Sequence, residues 1–252
     1  MSKIRATVSP VDGSVYVERP LATTADVQHA LEKAVTAQAE WRKTSIAERA
    51  EIGRKAVDVF LANQEAIAEE ISWQMGRPIR YAAGEVAGLA ERAHHMIAIA
   101  DSALANIELA QKDGFIRYIK REPLGVALVI APWNYPYLTA INAVMPAIMA
   151  GNAVLLKHSA QVPLCCERFQ QAFDAAGLPD GVFQYLHLDH ADTEALIASP
   201  HIDYVAFTGS VPAGAMVERA AAGRFIGVGL ELGGKDPAYV RHDADLDQAV
   251  ET

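Results

Sequence analysis

The amino-acid sequence predicts an α/β protein whose centre is a doubly wound parallel sheet, preceded by a helical segment. Five short apolar runs lie between residues 125 and 230, and stretches with helical spacing separate them. The runs are apolar nearly throughout, which is typical of strands that are buried on both faces. Strands that alternate with helices in this way favour parallel pairing with right-handed crossovers.

The composition is that of a globular enzyme rather than a nucleic-acid or membrane protein. The chain has 252 residues, 51% of them hydrophobic and 21% charged, and it can bury a core without disulfides. Its net charge of −9 counts against nucleic acid and anionic membrane surfaces as partners. The most apolar stretch, residues 143–156, is interrupted by Pro146 and Gly151 and is too short to span a bilayer. With no apolar core behind the N-terminus, we expect a cytoplasmic protein.

The two cysteines, Cys165 and Cys166, are adjacent, so they cannot close a loop and they lack the spacing of metal ligands. This usage fits a reducing compartment, and we expect no metal site. Both thiols fall in the first turn of a predicted helix, away from the carboxyl edge of the sheet. We therefore predict buried small hydrophobic residues rather than nucleophiles.

The first 123 residues are predicted to be an extended arm followed by helices. Residues 1–22 form the arm, with a short strand at 15–17. Ser45 and Glu48 have the spacing of a capping box, and Gly76 is placed to end a helix over residues 64–75. A further helix is predicted over 82–104. Residues 115–122 alternate as a strand, which is either a hairpin arm for subunit contact or an ordinary edge strand.

The parallel sheet is predicted to use strands at 125–130, 153–157, 182–187, 204–207 and 225–230. The helices between and after them are predicted at 138–149, 163–176, 192–198 and 213–222. One more strand over 237–240 and one more helix over 243–250 are expected to follow.

The last apolar run leads into Glu231, and Gly233 and Gly234 follow as a tight turn. Ligands and catalytic groups collect at the carboxyl ends of strands in open α/β sheets. Glu231 is therefore placed where a general base would lie. The alternative is an ordinary loop carboxylate beside a turn, and Glu231 taken alone favours that alternative.

Two further strand ends carry polar groups. Asn134 stands between Pro132 and Pro136, where a rigid backbone could aim its amide at a developing oxyanion, or where it could cap the next helix. Both interpretations stay open. Lys157 ends the second strand and Ser159 follows, and this pair could hold a ribose or a phosphate, although a solvated lysine is commoner.

A short glycine-containing segment, Thr208-Gly209-Ser210 with Gly214 beyond it, lies between a strand and a helix. Glycines let the backbone approach a ligand, and a helix N-terminus favours an anion. The dinucleotide fingerprint G-x-G-x-x-G is absent, so the sheet would be a variant of the Rossmann-like kind.

Four of these stretches, in this order and spacing, resemble the NAD(P)-dependent aldehyde dehydrogenase superfamily. They are Pro132-Trp133-Asn134-Tyr135-Pro136, Gly151-Asn152-Ala153-Val154-Leu155-Leu156-Lys157, Phe207-Thr208-Gly209-Ser210 and Glu231-Leu232-Gly233-Gly234-Lys235. The Asp243-Ala244-Asp245-Leu246-Asp247 segment matches as well, and the resemblance covers essentially the whole chain.

The resemblance implies a thiol-based oxidation of an aldehyde to a carboxylic acid with NAD(P)+ as hydride acceptor. It implies that Asn134 is the side-chain donor of the oxyanion hole and that Glu231 is the general base for water. It implies that Lys157 holds the adenine-side ribose. The other residues that it assigns to the cofactor are Trp133, Ser159, Ala160, Gly209, Ser210, Gly214 and Leu232.

One departure from the family pattern concerns the cofactor. Members that prefer NAD often carry a glutamate three positions after the lysine, and here that position is Ala160. Without a carboxylate to repel a 2′-phosphate, and with Ser159 able to donate to it, we predict that NADP binds at least as well as NAD. The Lys157-His158-Ser159 run is also similar to certain bacterial semialdehyde dehydrogenases.

A second departure concerns the nucleophile, which in the family lies a few dozen residues beyond the glutamate, past Thr252. We expect this chain alone to form no NAD(P)H from aldehydes. The expected parts are an arm and helices (1–110), an oligomerisation-type strand (111–123), a dinucleotide-binding sheet (124–230) and the incomplete start of a catalytic domain (231–252). A homo-oligomer is expected for the full-length form.

If the catalytic domain is incomplete, the surface that it would cover is left in water, and functions other than catalysis stay open. We expect exposed apolar surface around Trp133, Val240 and Leu246. The alternatives are a non-catalytic dinucleotide-binding or assembly module, and an ordinary Rossmann dehydrogenase, against which the missing fingerprint counts.

Overall fold

The computed structural model describes residues 3–251. Strands β1 (Ile4–Val8) and β2 (Val15–Pro20) form an antiparallel hairpin, where the sequence suggested an arm with one short strand. Gly13 has a φ of +79° in the turn, and the Ser14 N–H donates to Asp12 Oδ1 over 2.9 Å. The first two residues of the expected arm lie outside the described residues.

Four helices follow the hairpin: α1 (Thr24–Trp41), α2 (Ile46–Ala62), α3 (Gln64–Met75) and α4 (Ile79–Leu104). The capping box at Ser45 is confirmed, since the Ser45 N–H donates to Glu48 over 2.8 Å and the Glu48 N–H donates back over 3.2 Å. Gly76 ends α3 in the left-handed conformation, as expected. α4 begins three residues earlier than the prediction, because the Tyr81 N–H bonds the Pro78 carbonyl and closes an additional first turn.

A short ribbon of β3 (Ile107–Glu108) and β4 (Tyr118–Ile119) follows α4. The strand expected over 115–122 is therefore wrong in extent, since only Tyr118 and Ile119 form a strand and Phe115 makes an isolated bridge with Lys112. The partner segment offers only two residues, and no second strand lies beside it in the described part of the chain. Without a longer partner strand, most backbone N–H and C=O groups of residues 115–122 have no ladder hydrogen bonds to stabilise an extended conformation.

The centre of the molecule is a five-stranded parallel sheet in the order β7-β6-β5-β8-β9, which confirms the predicted fold class. Its strands are β5 (Val126–Ala131), β6 (Ala153–His158), β7 (Phe183–Tyr185), β8 (Tyr204–Gly209) and β9 (Gly227–Leu232). Its helices are α5 (Pro136–Met149), α6 (Leu164–Ala175), α7 (His190–Ile197) and α8 (Val211–Ala221).

The last predicted strand of the sheet is displaced by two residues. It was expected over 225–230, but Phe225 is exposed with a φ of +57°, and pairing with β8 begins at Gly227. The register places Glu231 opposite Thr208 and Leu232 opposite Gly209. Glu231 is consequently inside the strand near its carboxyl end, rather than in the loop after it.

The segment after β9 differs most from expectation. Residues 237–240 form no strand, because within residues 3–251 no neighbouring strand pairs with them. The final helix, α9 (Leu246–Glu251), begins later than the predicted 243. Asp245 sets this start, since its Oδ1 accepts from the N–H groups of Asp247 and Gln248 over 3.0 and 3.1 Å.

Both faces of the sheet are covered, which explains the apolar runs. Val129 and Leu156 face a core shared with α2–α6, where the rings of Phe60, Tyr137 and Phe169 pack edge-on and stacked. The alternate strand residues face a second core under α1, α7 and α8. No helix in the described part of the chain is long and apolar enough to cross a membrane.

Candidate functional site

A cleft of about 740 Å³ opens at the carboxyl ends of β5, β6, β8 and β9. The chain winds outward in opposite directions from β5, and the crevice beside such a switch point is where open α/β sheets bind ligands. The size is within the range of small-molecule and cofactor pockets. Nine of the ten predicted site residues line it: Trp133, Asn134, Lys157, Ser159, Ala160, Gly209, Ser210, Glu231 and Leu232.

Gly214 is the exception, because it lies buried in α8 outside the lining. A Cβ at this position would stand 2.4 Å from Leu232 Cδ2. The absence of a side chain on Gly214 therefore lets Leu232 pack against α8. A Cβ on Gly209 would likewise stand 2.6 Å from the tip of the Phe207 ring. Both glycines thus serve side-chain packing, where the sequence suggested close approach of backbone to ligand. A contact of Gly209 or Gly214 with a cofactor stays a prediction.

Glu231 stands at the wall between this cleft and a second cavity of about 460 Å³ on the sheet face. Its Oε2 accepts a hydrogen bond from Thr208 Oγ1 over 3.0 Å, across the β8–β9 pair. The strand therefore orients one carboxylate oxygen. The other oxygen accepts no hydrogen bond from residues 3–251 and is free to accept one from water.

Asn134 lies exposed in the turn between β5 and α5. The N-cap of α5 is Tyr135, and neither its side chain nor that of Asn134 makes a hydrogen bond to the first turn of the helix. The interpretation of Asn134 as a helix cap is thereby excluded. Its side-chain amide has no hydrogen-bond partner within the described residues, so it is free to donate into the cleft.

An ion pair that the sequence did not reveal, between the buried Glu85 and the half-buried Arg77, holds the turn of Asn134. Glu85, on α4, accepts from the N–H groups of Tyr137 and Leu138 over 3.1 and 3.2 Å, at the start of α5. Its other oxygen pairs with Arg77 over 2.6 Å. Arg77 in turn donates to the Asn134 carbonyl over 3.3 Å and lies over the Tyr135 ring at 4.5 Å.

We call these contacts of Glu85 with Arg77 and with the start of α5 the Glu85 brace. The sequence feature that could have revealed it is the position of Glu85 next to the apolar Val86, on the inner face of a predicted helix. Carboxylates are almost never fully buried unless they are paired. An acidic residue on an apolar helix face thus indicates a specific partner, although it does not say which one.

Lys157 is only 9% exposed, and its ammonium has no hydrogen bond or ion pair within residues 3–251. Burial, together with the nearby charge of Arg5, lowers the pKa of Lys157 below its usual range. A solvated lysine, the commoner alternative, does not describe this side chain. A buried cation without a partner is costly, so the position is suited to an oxygen-rich ligand.

His158 fixes the end of β6 to the start of α5. Its Nδ1 accepts from the Ser159 N–H over 2.9 Å, so the ring hydrogen is on Nε2, which donates to the Pro136 carbonyl over 3.1 Å. Burial lowers the pKa of His158 to about 4. A neutral histidine therefore joins the two elements that carry Lys157 and Asn134.

The two cysteines lie in α6 and are fully buried, as predicted. Burial raises the pKa of both thiols well above the usual range. Neither lines the cleft. Within residues 3–251 no group of three histidine, cysteine or acidic residues is arranged to hold a metal ion.

Sequence reasoning missed three polar or charged residues of the cleft wall: Arg5, Asp189 and His190. Arg5 comes from β1, about 150 positions before Lys157 in the chain, and no local pattern relates the two. Asp189 and His190 begin α7, where the cap function of Asp189 is the only local signal.

The sequence and the fold of this chain are both similar to those of known proteins. The model of the Aldehyde dehydrogenase family matches residues 2–252. A Mycobacterium tuberculosis protein named succinate-semialdehyde dehydrogenase NADP(+) 1 is 34% identical over 249 residues, which are 98% of this chain and 54% of the relative. The Escherichia coli succinate semialdehyde dehydrogenase NAD(P)+ Sad is 36% identical over 247 residues, with 96% and 52% covered.

Among solved structures, the succinic semialdehyde dehydrogenase from Streptococcus pyogenes in complex with NADP+ superimposes with a TM-score of 0.90 at 27% identity. The match covers 98% of this chain and 54% of that one. The chain thus spans about half the length of the relatives that it matches.

Proposed function

This chain belongs to the aldehyde dehydrogenase family, and from that premise we propose that its cleft binds NADP or NAD and serves the oxidation of an aldehyde, of the semialdehyde class, to a carboxylic acid. The observation that carries the proposal is the composition of one cleft. A buried cation without a partner, Lys157, stands at one end, and a free amide and a free carboxylate oxygen, on Asn134 and Glu231, stand at the other.

The residues of the cleft fit a dinucleotide. Lys157 and Ser159 offer an ammonium and a hydroxyl to a ribose. The N-terminus of α8 at Ser210 offers positive backbone charge to a pyrophosphate. Trp133 and Leu232 supply apolar surface for a ring. When bound, NAD(P)+ supplies the hydride acceptor.

The chain's own groups would act on charge and protons. The Asn134 amide would donate a hydrogen bond to the oxygen of the aldehyde carbon as negative charge develops there. Glu231 would accept a proton from the water that releases the acid product. Thr208 would hold the Glu231 carboxylate in one orientation through its 3.0 Å hydrogen bond.

NADP is expected to bind at least as well as NAD. Ala160 lines the cleft beside Lys157 and Ser159, so no carboxylate faces the adenine-side ribose at that position. The M. tuberculosis and E. coli relatives carry NADP(+) and NAD(P)+ in their names, which supports this expectation.

Calorimetric titration of the chain with NADP and with NAD tests the proposal, using wild type and Ala160→Glu. We expect wild type to bind both nucleotides. The glutamate should weaken NADP about tenfold or more through repulsion between like charges, and should leave NAD unchanged or tighter. Failure of wild type to bind either nucleotide would refute the cofactor assignment, and equal effects on the two would refute the role of position 160.

A non-catalytic dinucleotide-binding module is the second candidate. It is favoured by one observation, that no thiol within residues 3–251 lines the cleft. Because this chain alone is expected to form no NAD(P)H, affinity for a semialdehyde in the presence of NADP separates the two. Semialdehyde binding that weakens in Asn134→Ala while nucleotide affinity is kept supports the enzyme, and nucleotide binding without semialdehyde binding supports the module.

A further inference from the structure

We propose that Arg5, from the N-terminal hairpin, is a specificity-determining residue that recognises the 2′-phosphate of NADP together with Lys157 and Ser159. The inference rests on the proposed cofactor role of the cleft, and it adds to that role a residue from a separate element of the chain.

The alternation of β1 aims Arg5 at the cleft. Side chains two residues apart lie on the same face of a strand. Two positions before Arg5, Lys3 Nζ pairs with Asp189 Oδ2 over 3.2 Å, and two positions after it, Thr7 Oγ1 donates to the Ala160 carbonyl over 2.9 Å. Arg5 thus stands between two contacts with the cleft wall, and its own side chain lines the cleft.

The hairpin that carries Arg5 is held firmly on the sheet. The Leu21 N–H donates to the Lys3 carbonyl, and the Ala22 N–H donates to the His187 carbonyl over 2.9 Å. On β2, Arg19 binds both oxygens of Glu167 over 2.6 and 2.9 Å. The backbone of Arg5 is therefore positioned in advance, which reduces the entropy that an anion must overcome on binding.

Charge at this end of the cleft is unbalanced. Arg5 and Lys157 make no ion pair within the described residues, although each lies close enough to feel the other's charge. The carboxylate on this wall, Asp189, is already engaged by Lys3 and by the Asp192 N–H over 3.0 Å. A phosphate with nearly two negative charges would relieve the repulsion between two neighbouring cations.

The proposed 2′-phosphate site at Arg5, Lys157 and Ser159 is separate from the expected pyrophosphate site. Lys157 and Ser159 follow β6, whereas Ser210 and the N-terminus of α8 follow β8, with β5 between them. Two strand spacings place the two anion positions roughly 10 Å apart. A guanidinium beside the adenine-side ribose accommodates a 2′-phosphate in doubly wound folds, and its planar fork binds phosphate oxygens in pairs.

The test compares dissociation constants of NADP, NAD and 2′,5′-ADP for wild type, Arg5→Gln and Arg5→Lys. Arg54→Gln is the matched control, since it removes one exposed arginine on α2 outside the cleft. We expect Arg5→Gln to weaken NADP and 2′,5′-ADP about tenfold and NAD less than twofold, with Arg5→Lys between. The control should behave as wild type.

Unchanged NAD affinity also shows that Arg5→Gln is folded. Equal weakening of NADP and NAD, or no weakening of NADP, would overturn the role of Arg5 while leaving the proposed function standing. If wild type binds NADP and NAD but not 2′,5′-ADP, recognition of the 2′-phosphate is overturned. If wild type binds no nucleotide, the proposed function fails and this inference fails with it.

Discussion

Glu85 illustrates how one buried side chain can determine the geometry of a site that it does not line. It is 1% exposed, and its two oxygens hold the start of α5 and the Arg77 guanidinium. Removing one partner of a buried ion pair leaves the other charge unpaired, which costs more than the pair itself contributes.

We predict that Glu85→Ala lowers the free energy of unfolding by about 3–5 kcal/mol, because Arg77 and two helix N–H groups lose their acceptor. Urea unfolding measured by circular dichroism gives the value. Glu91→Ala, an exposed glutamate on the same helix, is the control and should change stability by less than about 0.5 kcal/mol. Equal urea midpoints for Glu85→Ala and Glu91→Ala would contradict the stabilising role of Glu85.

Between elements, His158 joins β6 to α5 through its Nε2–H, and burial favours the neutral ring. Burial holds its folded pKa at about 4, below the ordinary value of 6.5. As pH falls, the unfolded chain therefore takes up the proton before the folded chain does. The stability from this group is complete above about pH 6.5 and is lost as pH falls toward 4.

For His158 we predict a loss of about 2 kcal/mol of unfolding free energy between pH 7 and pH 5 in wild type. His158→Gln keeps a donor and an acceptor but does not titrate, so most of that loss should disappear. His29→Gln, an exposed histidine on α1, should retain the wild-type loss. Urea titrations at the two pH values decide, and a pH dependence that is identical in His158→Gln and wild type would refute the assignment.

At the scale of the whole molecule, the surface carries exposed apolar side chains in two regions. In the loop of the β3–β4 ribbon, Ile116 is 94% exposed and Phe115 is 63% exposed. Around the cleft and the last segment, Trp133, Val240 and Leu246 are exposed, as expected from the sequence. Apolar patches of this kind favour association.

We therefore predict that the chain forms assemblies larger than a monomer, measured by light scattering after size-exclusion chromatography. If the ribbon is the subunit contact, Ile116→Asp should lower the mass, because a charge would have to be buried in the contact. Leu61→Ser, at an exposed position on α2, should not lower it. A monodisperse wild-type monomer would contradict association, and an unchanged mass in Ile116→Asp would favour the ordinary edge strand.

The sequence by itself determined the order of helices and parallel strands, and most of the residues that reach the cleft. Apolar runs and capping signals such as Ser45–Glu48 are local, and parallel strands necessarily bring their carboxyl ends to one edge. Asn134, Lys157 and Glu231 could therefore be placed together before any contact was known. Their partners could not be, because partners depend on which elements pack side by side.

Tertiary structure alone decided the rest. Pairing with β8 shifted β9 by two residues, and without a neighbouring strand residues 237–240 stayed irregular. Packing brought Arg5 and Glu85 to the cleft and its supporting turn from distant parts of the chain. Periodicity specifies which face of a helix or strand is apolar, whereas long-range packing specifies which elements that face contacts. Long-range packing therefore decides which charged side chains lie together in this cleft.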